Sequence, residues 1–298
     1  MNQKQSYVFP ETKRRKRRRH RKKKMRIILC FLFLAGAAMC TEAVCVHYFF
    51  GEEPSISSPL YASEAPREIQ SEEIESRLKE LTDKYPEFEQ IYNDRALYPE
   101  ELLKALCNNP EMVDYVKGYL DADGKVTGGL TRKELKTRMP LLLQWDPRWG
   151  YMDYGDGKMA LTGCAPACLS MVAVSLTGNK RATPDAAAEF AEKNGYYVNG
   201  TGTKWSLMTE GCRSFGICGR EISLNKSTVM HELENGHPII CAMRPGDFTT
   251  AGHFIVLADV QEGKIRVNDP NSRTRSRELW PYETLERQIK NLWTFTRL

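Results

Sequence analysis

The sequence contains no cysteine pair at the C-x-x-C spacing of structural zinc sites, and only five of its 298 residues are histidines. The first absence argues against a zinc-binding module, and the second leaves few candidates for a general base. No internal repeat is present. With 41% hydrophobic and 10% aromatic residues, the composition excludes collagen-like, low-complexity and wholly disordered chains. The length suits one or two domains with a hydrophobic core.

Positive charge is scarce outside the first 26 residues. Of the 43 Lys and Arg residues, 13 lie in residues 1–26 beside a single acidic residue, Glu11, which gives this basic arm a charge of +12. The remaining 30 basic residues face 37 acidic residues, so the rest of the chain carries −7. Nucleic-acid-binding proteins spread basic residues over the binding domain itself, and we therefore expect no nucleic-acid partner.

An apolar segment follows the basic arm directly. Residues 27–50 contain one acidic residue, Glu42, and at 1.5 Å per residue they would span about 36 Å, enough for a bilayer of about 30 Å. The arm predicts a cytoplasmic N-terminus by the positive-inside rule. We expect a single-pass membrane protein with its body outside the cytoplasm and with membrane lipid contacting residues 13–50. The alternative is a secretory signal cleaved near residues 36–43, which would release the protein.

The next part of the chain divides into a linker and a helical stalk. Residues 51–68 contain Pro, Ser and Glu without apolar periodicity, which predicts the linker. In residues 69–136, Ile74, Leu78 and Leu81 follow helical spacing. Three prolines there begin acidic helix starts (PEFEQ, PEELL and PEMVD), where the missing N–H costs nothing. We therefore predict a stalk of short helices.

Residues 137–298 have the pattern of a separate α+β domain, with helices first and strands later. Glycines, aromatic residues and short apolar runs replace the acidic helical pattern. The predicted elements are helices over 165–176, 186–193 and 227–234, and strands over 238–243, 253–260 and 265–267.

The segment GCAPACLSM places a cysteine at the start of a predicted helix. Pro166 suits the first helical turn, so Cys164 falls at the helix N-terminus, where the dipole and the free N–H groups favour a thiolate and could stabilise an oxyanion. Cys168, one turn later, is expected in the core. An ordinary buried cysteine is the alternative for Cys164.

A thiolate nucleophile needs a base that is oriented by a third group. Two histidines lie in the arm and the apolar segment, which leaves His231, His237 and His253. His231 begins a charged helical stretch and is expected to be solvated, and His237 precedes a proline in a turn. His253 begins the strand HFIVLADV.

The partner strand of that hairpin ends at Asn268 and Asp269. If the connecting loop has three residues centred on Glu262, Asp269 pairs with Ile255 and lies diagonal to His253, within side-chain reach. A loop of two or four residues would reverse this parity.

Four motifs occur in the order found in a known family: LLLQWDPRWG at 141–150, TGCAPACLSM at 162–171, GHFIVL at 252–257 and VNDPNS at 267–272. Here the chain resembles papain-like cysteine peptidases of the bacteriocin-processing type, peptidase family C39, and most closely their stand-alone C39-like domains from bacteria. The resemblance implies a papain-like fold with a helical first half and an antiparallel sheet in the second half. The transmembrane helix and the helical stalk would precede this domain.

The resemblance also implies the site residues. Cys164 would be the nucleophile, His253 the general base and acid, Asp269 the group that orients His253, and Gln144 the side-chain donor of the oxyanion hole. From the residues alone, Gln144 is equally a surface amide beside Trp145, and Asp269 an Asx-turn before a proline. No cofactor and no metal are expected.

The predicted function is hydrolysis of a peptide or protein substrate through a thioester intermediate. The chain lacks the G-x-x-x-x-G-K-[ST] loop of the ATPase that is fused to the transporter members, so cleavage of double-glycine leaders is not carried over. Alternatives are a cell-wall amidase or transpeptidase with the same triad, and a catalytically silent peptide-binding domain. Outside the cell, Cys212 and Cys218 form the shortest candidate disulfide.

Overall fold

Helices precede strands along the part of the chain that the computed structural model describes, which is residue 61 and residues 64–298. The predicted basic arm (1–26) and transmembrane segment (27–50), with most of the linker, lie outside these residues. Within the described part, no helix combines the length and the apolar character needed to cross a bilayer. The described residues belong to one unit, Pro59–Leu298.

The helices in the described part of the chain are α1 (Ile74–Lys84), α2 (Glu89–Asn93), α3 (Glu100–Asn108), α4 (Val113–Gly118), α5 (Arg132–Lys136), α6 (Met159–Thr162), α7 (Cys164–Thr177), α8 (Pro184–Lys193), α9 (Ser206–Thr209), α10 (Lys226–Glu234), α11 (Arg273–Arg277) and α12 (Tyr282–Glu286). Short 3₁₀ turns add Ser71–Glu73, Pro86–Phe88, Arg95–Leu97, Pro110–Met112, Tyr119–Asp121 and Gly211–Phe215. As predicted, each of the three prolines in the stalk region precedes or begins a helical turn.

The strands are β1 (Asp153–Tyr154), β2 (Gly157–Lys158), β3 (Tyr197–Val198), β4 (Gly202–Thr203), β5 (Ile217–Glu221), β6 (Ile239–Met243), β7 (His253–Gln261), β8 (Lys264–Asn268), β9 (Leu279–Trp280) and β10 (Ile289–Arg297). Six of them form one antiparallel sheet in the order β5-β10-β6-β7-β8-β9. The remaining four form two small hairpins. The predicted mixture of helices and antiparallel sheet is confirmed.

Helix α7 is the central helix of the fold. Its residues from Ala165 to Val174 are all buried, as expected for a helix that is apolar on every side. It packs with α8 on one face of the large sheet, where Val256 and Phe295 belong to the same core cluster. A second core cluster, which includes Val229 and Leu285, covers the opposite face. The helix therefore fixes the position of Cys164, its first residue.

The stalk region shares a core with the beginning of the α+β domain. Leu106 and Val116 from α3 and α4 pack in one cluster with Leu143, Trp145 and Ala160. Tyr115 also donates a hydrogen bond from its hydroxyl to the Gly150 carbonyl, 3.0 Å away. The segments on either side of Gln144 are thus packed against stalk helices.

The hairpin of β7 and β8 differs from the prediction in its loop. Gln261 pairs with Lys264, so the loop has two residues, Glu262 and Gly263, rather than three. Both residues have a left-handed backbone, with φ of 53° and 71°, as in the type I′ turns that match the twist of two paired strands. The predicted three-residue loop was wrong.

A β-bulge nevertheless restores the predicted register near the site. The pairing shifts by one residue between Leu257 and Asp259, which leaves Ala258 as the extra residue of β7. Beyond the bulge, Val256 pairs with Asn268, the parity that a three-residue loop would have produced. Regular pairing ends there, and Asp269 forms an isolated bridge with Ser272 instead of pairing with a residue of β7.

Candidate active site

Cys164 is the first residue of α7 and follows Gly163 at the N-cap position. A Cβ at Gly163 would lie 2.5 Å from the Met159 carbonyl oxygen, so the tight connection from α6 to α7 requires glycine. The N–H groups of the first helical turn have no partner within the helix, and the helix dipole is positive there. The half-buried Cys164 thiol therefore lies where negative charge is stabilised.

His253 and Asp269 are brought together at the edge of the sheet. The distance between His253 Nε2 and Asp269 Oδ1 is 2.7 Å. Because an ionised carboxylate only accepts hydrogen bonds, Nε2 carries the proton and donates it to Asp269. This leaves Nδ1 free, and the nearby Cys164 is among the groups that raise the pKa of His253.

The protonation states of this pair follow from burial and charge. Burial alone would lower the pKa of His253, but the charge and hydrogen bond of Asp269, together with the nearby Cys164, raise it to about 9. Burial would raise the pKa of Asp269, but the neighbouring Arg275 and His253 lower it to about 2. At neutral pH the pair is therefore ionised, with a protonated imidazole next to the Cys164 sulfur.

Asp269 has two further partners, one of which the sequence did not reveal. Arg275 of α11, itself buried, donates from Nε to Asp269 Oδ2 at 2.6 Å. The Asn271 backbone N–H donates to Oδ1 at 2.8 Å, so the Asx-turn considered from the sequence is present together with the bond to His253. The basic run RTRSR after Ser272 was the available signal for Arg275.

Gln144 is buried, which excludes the surface-amide alternative. Its side chain donates from Nε2 to the Ala160 carbonyl at 2.7 Å, while Oε1 is buried without a hydrogen-bond partner. The second hydrogen on Nε2 remains available. Gln144 is not among the residues that line the cleft beside Cys164, so its role in an oxyanion hole stays a prediction.

Cys164 and His253 open onto the same cleft, which has a volume of about 650 Å³. The walls are formed by the hairpin β3–β4, the end of β6, the start of β7 and Lys290 of β10. The volume falls within the usual size of ligand pockets. The cleft therefore brings together a thiol at a helix N-terminus and an imidazole that is paired with a buried carboxylate.

The two other candidate histidines lie elsewhere. His237 binds Glu232 through Nδ1 at 2.9 Å, and the exposed His231 contacts Asn235. Within the described residues, no group of three or more His, Cys, Asp or Glu side chains is arranged to hold a metal ion.

The candidate disulfide is not formed, because Cys212 and Cys218 are both free thiols. Cys212 is completely buried in the core beneath α7. Cys218 lies on β5 between two buried residues, Ile217 and Gly219, and alternate side chains of a strand point to opposite faces. The two thiols are therefore directed to different environments.

From the shifted pKa values we predict the pH range in which the His253–Asp269 pair contributes to the free energy of unfolding. Because the pKa of His253 is raised to about 9 from about 6.5 in the unfolded chain, its contribution is complete below the lower value and is lost as pH rises through the higher one. For Asp269 the pKa falls to about 2 from about 3.9, so its contribution is lost only as pH falls through about 2.

We expect His253→Gln to lower the free energy of unfolding by an amount on the order of 3 kcal/mol near pH 5.5 and by much less near pH 9.5. Urea unfolding of both proteins at the two pH values measures this difference. His231→Gln, which removes an exposed histidine, is the control and should show no such dependence. An equal cost of His253→Gln at both pH values would contradict the ionised pair.

Comparison with known proteins places the chain in a family. No curated protein is similar enough to the chain to count as a match. Among solved structures, the peptidase domain of Streptococcus ComA, described as a bifunctional ABC transporter involved in a quorum-sensing pathway, is 20% identical with a TM-score of 0.36. The alignment covers 46% of this chain and 93% of that one. The profile of the Peptidase_C39 like family matches residues 137–297, more than half of the chain. The chain therefore belongs to the Peptidase_C39 like family.

Proposed function

We propose that the protein is a cysteine peptidase that hydrolyses a peptide or protein substrate through Cys164, His253 and Asp269. The observation that supports this most is the buried hydrogen bond of 2.7 Å between His253 and Asp269, on a histidine that shares an open cleft with Cys164. An ion pair with a purely structural role does not require a thiol at a helix N-terminus in the same cleft. A thiol, an imidazole and a carboxylate that orients the imidazole are the three groups of a catalytic triad with an activated nucleophile.

The reaction divides into acylation and deacylation. The Cys164 thiolate attacks the carbonyl carbon of the scissile bond, and the protonated His253 gives its Nδ1 proton to the departing amine as the C–N bond breaks. This leaves an acyl thioester on Cys164. His253 then takes a proton from water, the resulting hydroxide attacks the thioester, and the C–S bond breaks to release the carboxylic acid.

The oxyanion of each tetrahedral intermediate needs donors that are already in place. The Cys164 backbone N–H at the start of α7 provides one. We assign the second to the free Nε2 hydrogen of Gln144, whose other hydrogen is held by the Ala160 carbonyl. Because that bond fixes the amide, the donor is oriented before substrate binds.

Labelling by a thiol-directed active-site probe tests the mechanism on the purified full-length chain. We expect rapid labelling of the wild type, no rapid labelling of Cys164→Ala, and labelling of His253→Gln slowed by a factor of roughly 10² because the thiolate loses its partner. Cys218→Ala removes another half-buried thiol and should label as the wild type does. Equal labelling of the wild type and Cys164→Ala would contradict the catalytic role and favour a silent peptide-binding domain.

The setting that we propose is the outer face of a bacterial membrane, with the basic arm inside. Support comes from the charge of +12 directly before the apolar residues 27–50. Proteinase added to intact cells should remove an epitope at the C-terminus and leave one at the N-terminus, and permeabilised cells should lose both. A protected C-terminal epitope would contradict this orientation, and its appearance in the medium would indicate cleavage and secretion.

A further inference from the structure

Glu111 links the stalk region to the loop that carries Asp269. Its carboxylate accepts a hydrogen bond from Ser272 Oγ at 2.6 Å and from the backbone N–H groups of Arg273 and Thr274 at 2.9 and 3.1 Å. These groups form the first turn of α11, where Ser272 is the N-cap. Glu111 is buried and lies 161 residues away from Ser272 in the sequence. The family match begins only at residue 137, so this contact comes from outside it.

Helix α11 is the element that carries Arg275 to Asp269. With five residues, it is too short to be stable without external contacts. Glu111 satisfies two of its free N–H groups, and Ser272 Oγ accepts from the Arg275 backbone N–H at 3.1 Å while donating to Glu111. A second contact from the stalk region, Asn109 Nδ2 to the Asn271 carbonyl, holds the same loop.

We propose that Glu111 is a positioning residue of the peptidase site, which acts through α11 and Arg275 to fix Asp269 against His253. This inference rests on the proposed function. Removing the Glu111 carboxylate leaves the first turn of α11 without its acceptor, Arg275 moves away from Asp269 Oδ2, and the carboxylate that orients His253 loses one of its three fixed donors. The stalk region then forms part of the functional unit.

The test compares Glu111→Gln and the milder Ser272→Ala with Glu101→Gln, which changes an exposed acidic residue of α3, in the full-length chain. We expect the rate of Cys164 alkylation by iodoacetamide to fall about tenfold or more in Glu111→Gln, less in Ser272→Ala, and not at all in Glu101→Gln. The His253 ring, followed by NMR, should titrate at a lower pH in Glu111→Gln, since a role in stability alone would leave the titration of the folded fraction unchanged.

Unaltered alkylation and His253 titration in both Glu111→Gln and Ser272→Ala would overturn the proposal. If Glu111→Gln fails to fold, the alkylation rate and the His253 titration of Ser272→Ala decide the question. Both measurements are independent of substrate, so a wild type that shows this coupling but cleaves no peptide would contradict the proposed function and leave the positioning role intact.

A different observation concerns the charge of the cleft. None of its lining residues is acidic, whereas Lys290 and Arg244 are both among them. Both are exposed, and neither forms a salt bridge with any residue in the described part of the chain. The body of the protein carries −7 outside the basic arm, so the positive cleft is a local exception.

Lys290 is directed to the cleft by the backbone. Ile289 pairs with Met243 and Asn291 with Ala242, which leaves Lys290 as the extra residue of a β-bulge in β10. Bulges beside functional sites redirect a side chain. Its Nζ lies 5.5 Å from the ring centroid of Trp205, another cleft residue, and this cation–π contact holds the ammonium at the cleft wall.

We infer that the cleft binds peptides that carry Asp or Glu side chains near the scissile bond, with Lys290 as the main specificity-determining residue and Arg244 as the second. The inference deepens the proposed function by naming its substrate class. An acidic side chain would meet the free Lys290 ammonium without competition from an internal carboxylate. The contact is exposed, so its effect should weaken as salt concentration rises.

Binding of fluorescent octapeptides to full-length Cys164→Ala, measured by anisotropy, tests this. Three peptides with amidated C-termini differ only at the test positions: the acidic peptide carries Asp and Glu, the neutral peptide Asn and Gln, and the basic peptide Lys. A fourth peptide has the neutral sequence with a free C-terminal carboxylate. We expect the acidic peptide to bind roughly threefold to tenfold more tightly than the neutral one at low salt. Adding Lys290→Gln should remove most of this preference, and Lys264→Gln, at the hairpin turn, should keep it.

Equal binding of the acidic and neutral peptides, or a preference that Lys290→Gln leaves unchanged, would overturn the inference. A gain only for the free C-terminal carboxylate would also overturn it and point to recognition of chain ends. Binding is measured on Cys164→Ala, which is inactive under the proposed mechanism, so the result does not depend on cleavage. A charge preference in this variant, combined with no cleavage by the wild type, would contradict the proposed function but would still support the acidic-peptide site.

Discussion

The site depends on one completely buried carboxylate, that of Asp269. Removing an ionised carboxylate from water costs several kcal/mol unless hydrogen bonds and opposite charge compensate for it. Asp269 meets this condition with three fixed donors: His253 Nε2, the Asn271 N–H and Arg275 Nε. The orientation of the imidazole is therefore a consequence of satisfying the carboxylate, because any other ring position would leave a buried charge with a donor missing.

The sequence predicted the main elements well because their patterns are local. The helix that begins at Cys164 follows from Pro166 and the apolar residues after it, and the structure places that helix at Cys164–Thr177. The hairpin register could not be derived in this way. Its loop is one residue shorter than predicted, and the bulge at Ala258 reverses the parity again. The shorter loop and the bulge each shift the strand pairing by one residue, so their effects cancel. The alternation of apolar and polar residues along a single strand reveals neither of them.

The residues that support the site are those that the sequence hid. Arg275 sits in a short helix with no apolar periodicity, and Glu111 is one of many acidic residues in the stalk region. Their roles come from partners that are distant in sequence, as in the contact of Glu111 with Ser272. The burial of Gln144 could not be predicted for the same reason. The residues on either side of it, Leu143 and Trp145, pack in a core that the stalk region and the α+β domain form together. Such contacts have no local signature.

Charge balance explains why the carboxylate is paired with an arginine as well as with the histidine. A lone Asp269 would raise the proton affinity of His253, but its negative charge would also repel a thiolate at Cys164. The Arg275 guanidinium donates to Oδ2, the carboxylate oxygen that His253 does not contact, and its positive charge offsets the negative charge of Asp269. The imidazolium is then left with its charge directed at the sulfur, where the N-terminus of α7 adds to it. Arg275 thus lets Asp269 orient His253 without placing net negative charge beside Cys164, the proposed nucleophile.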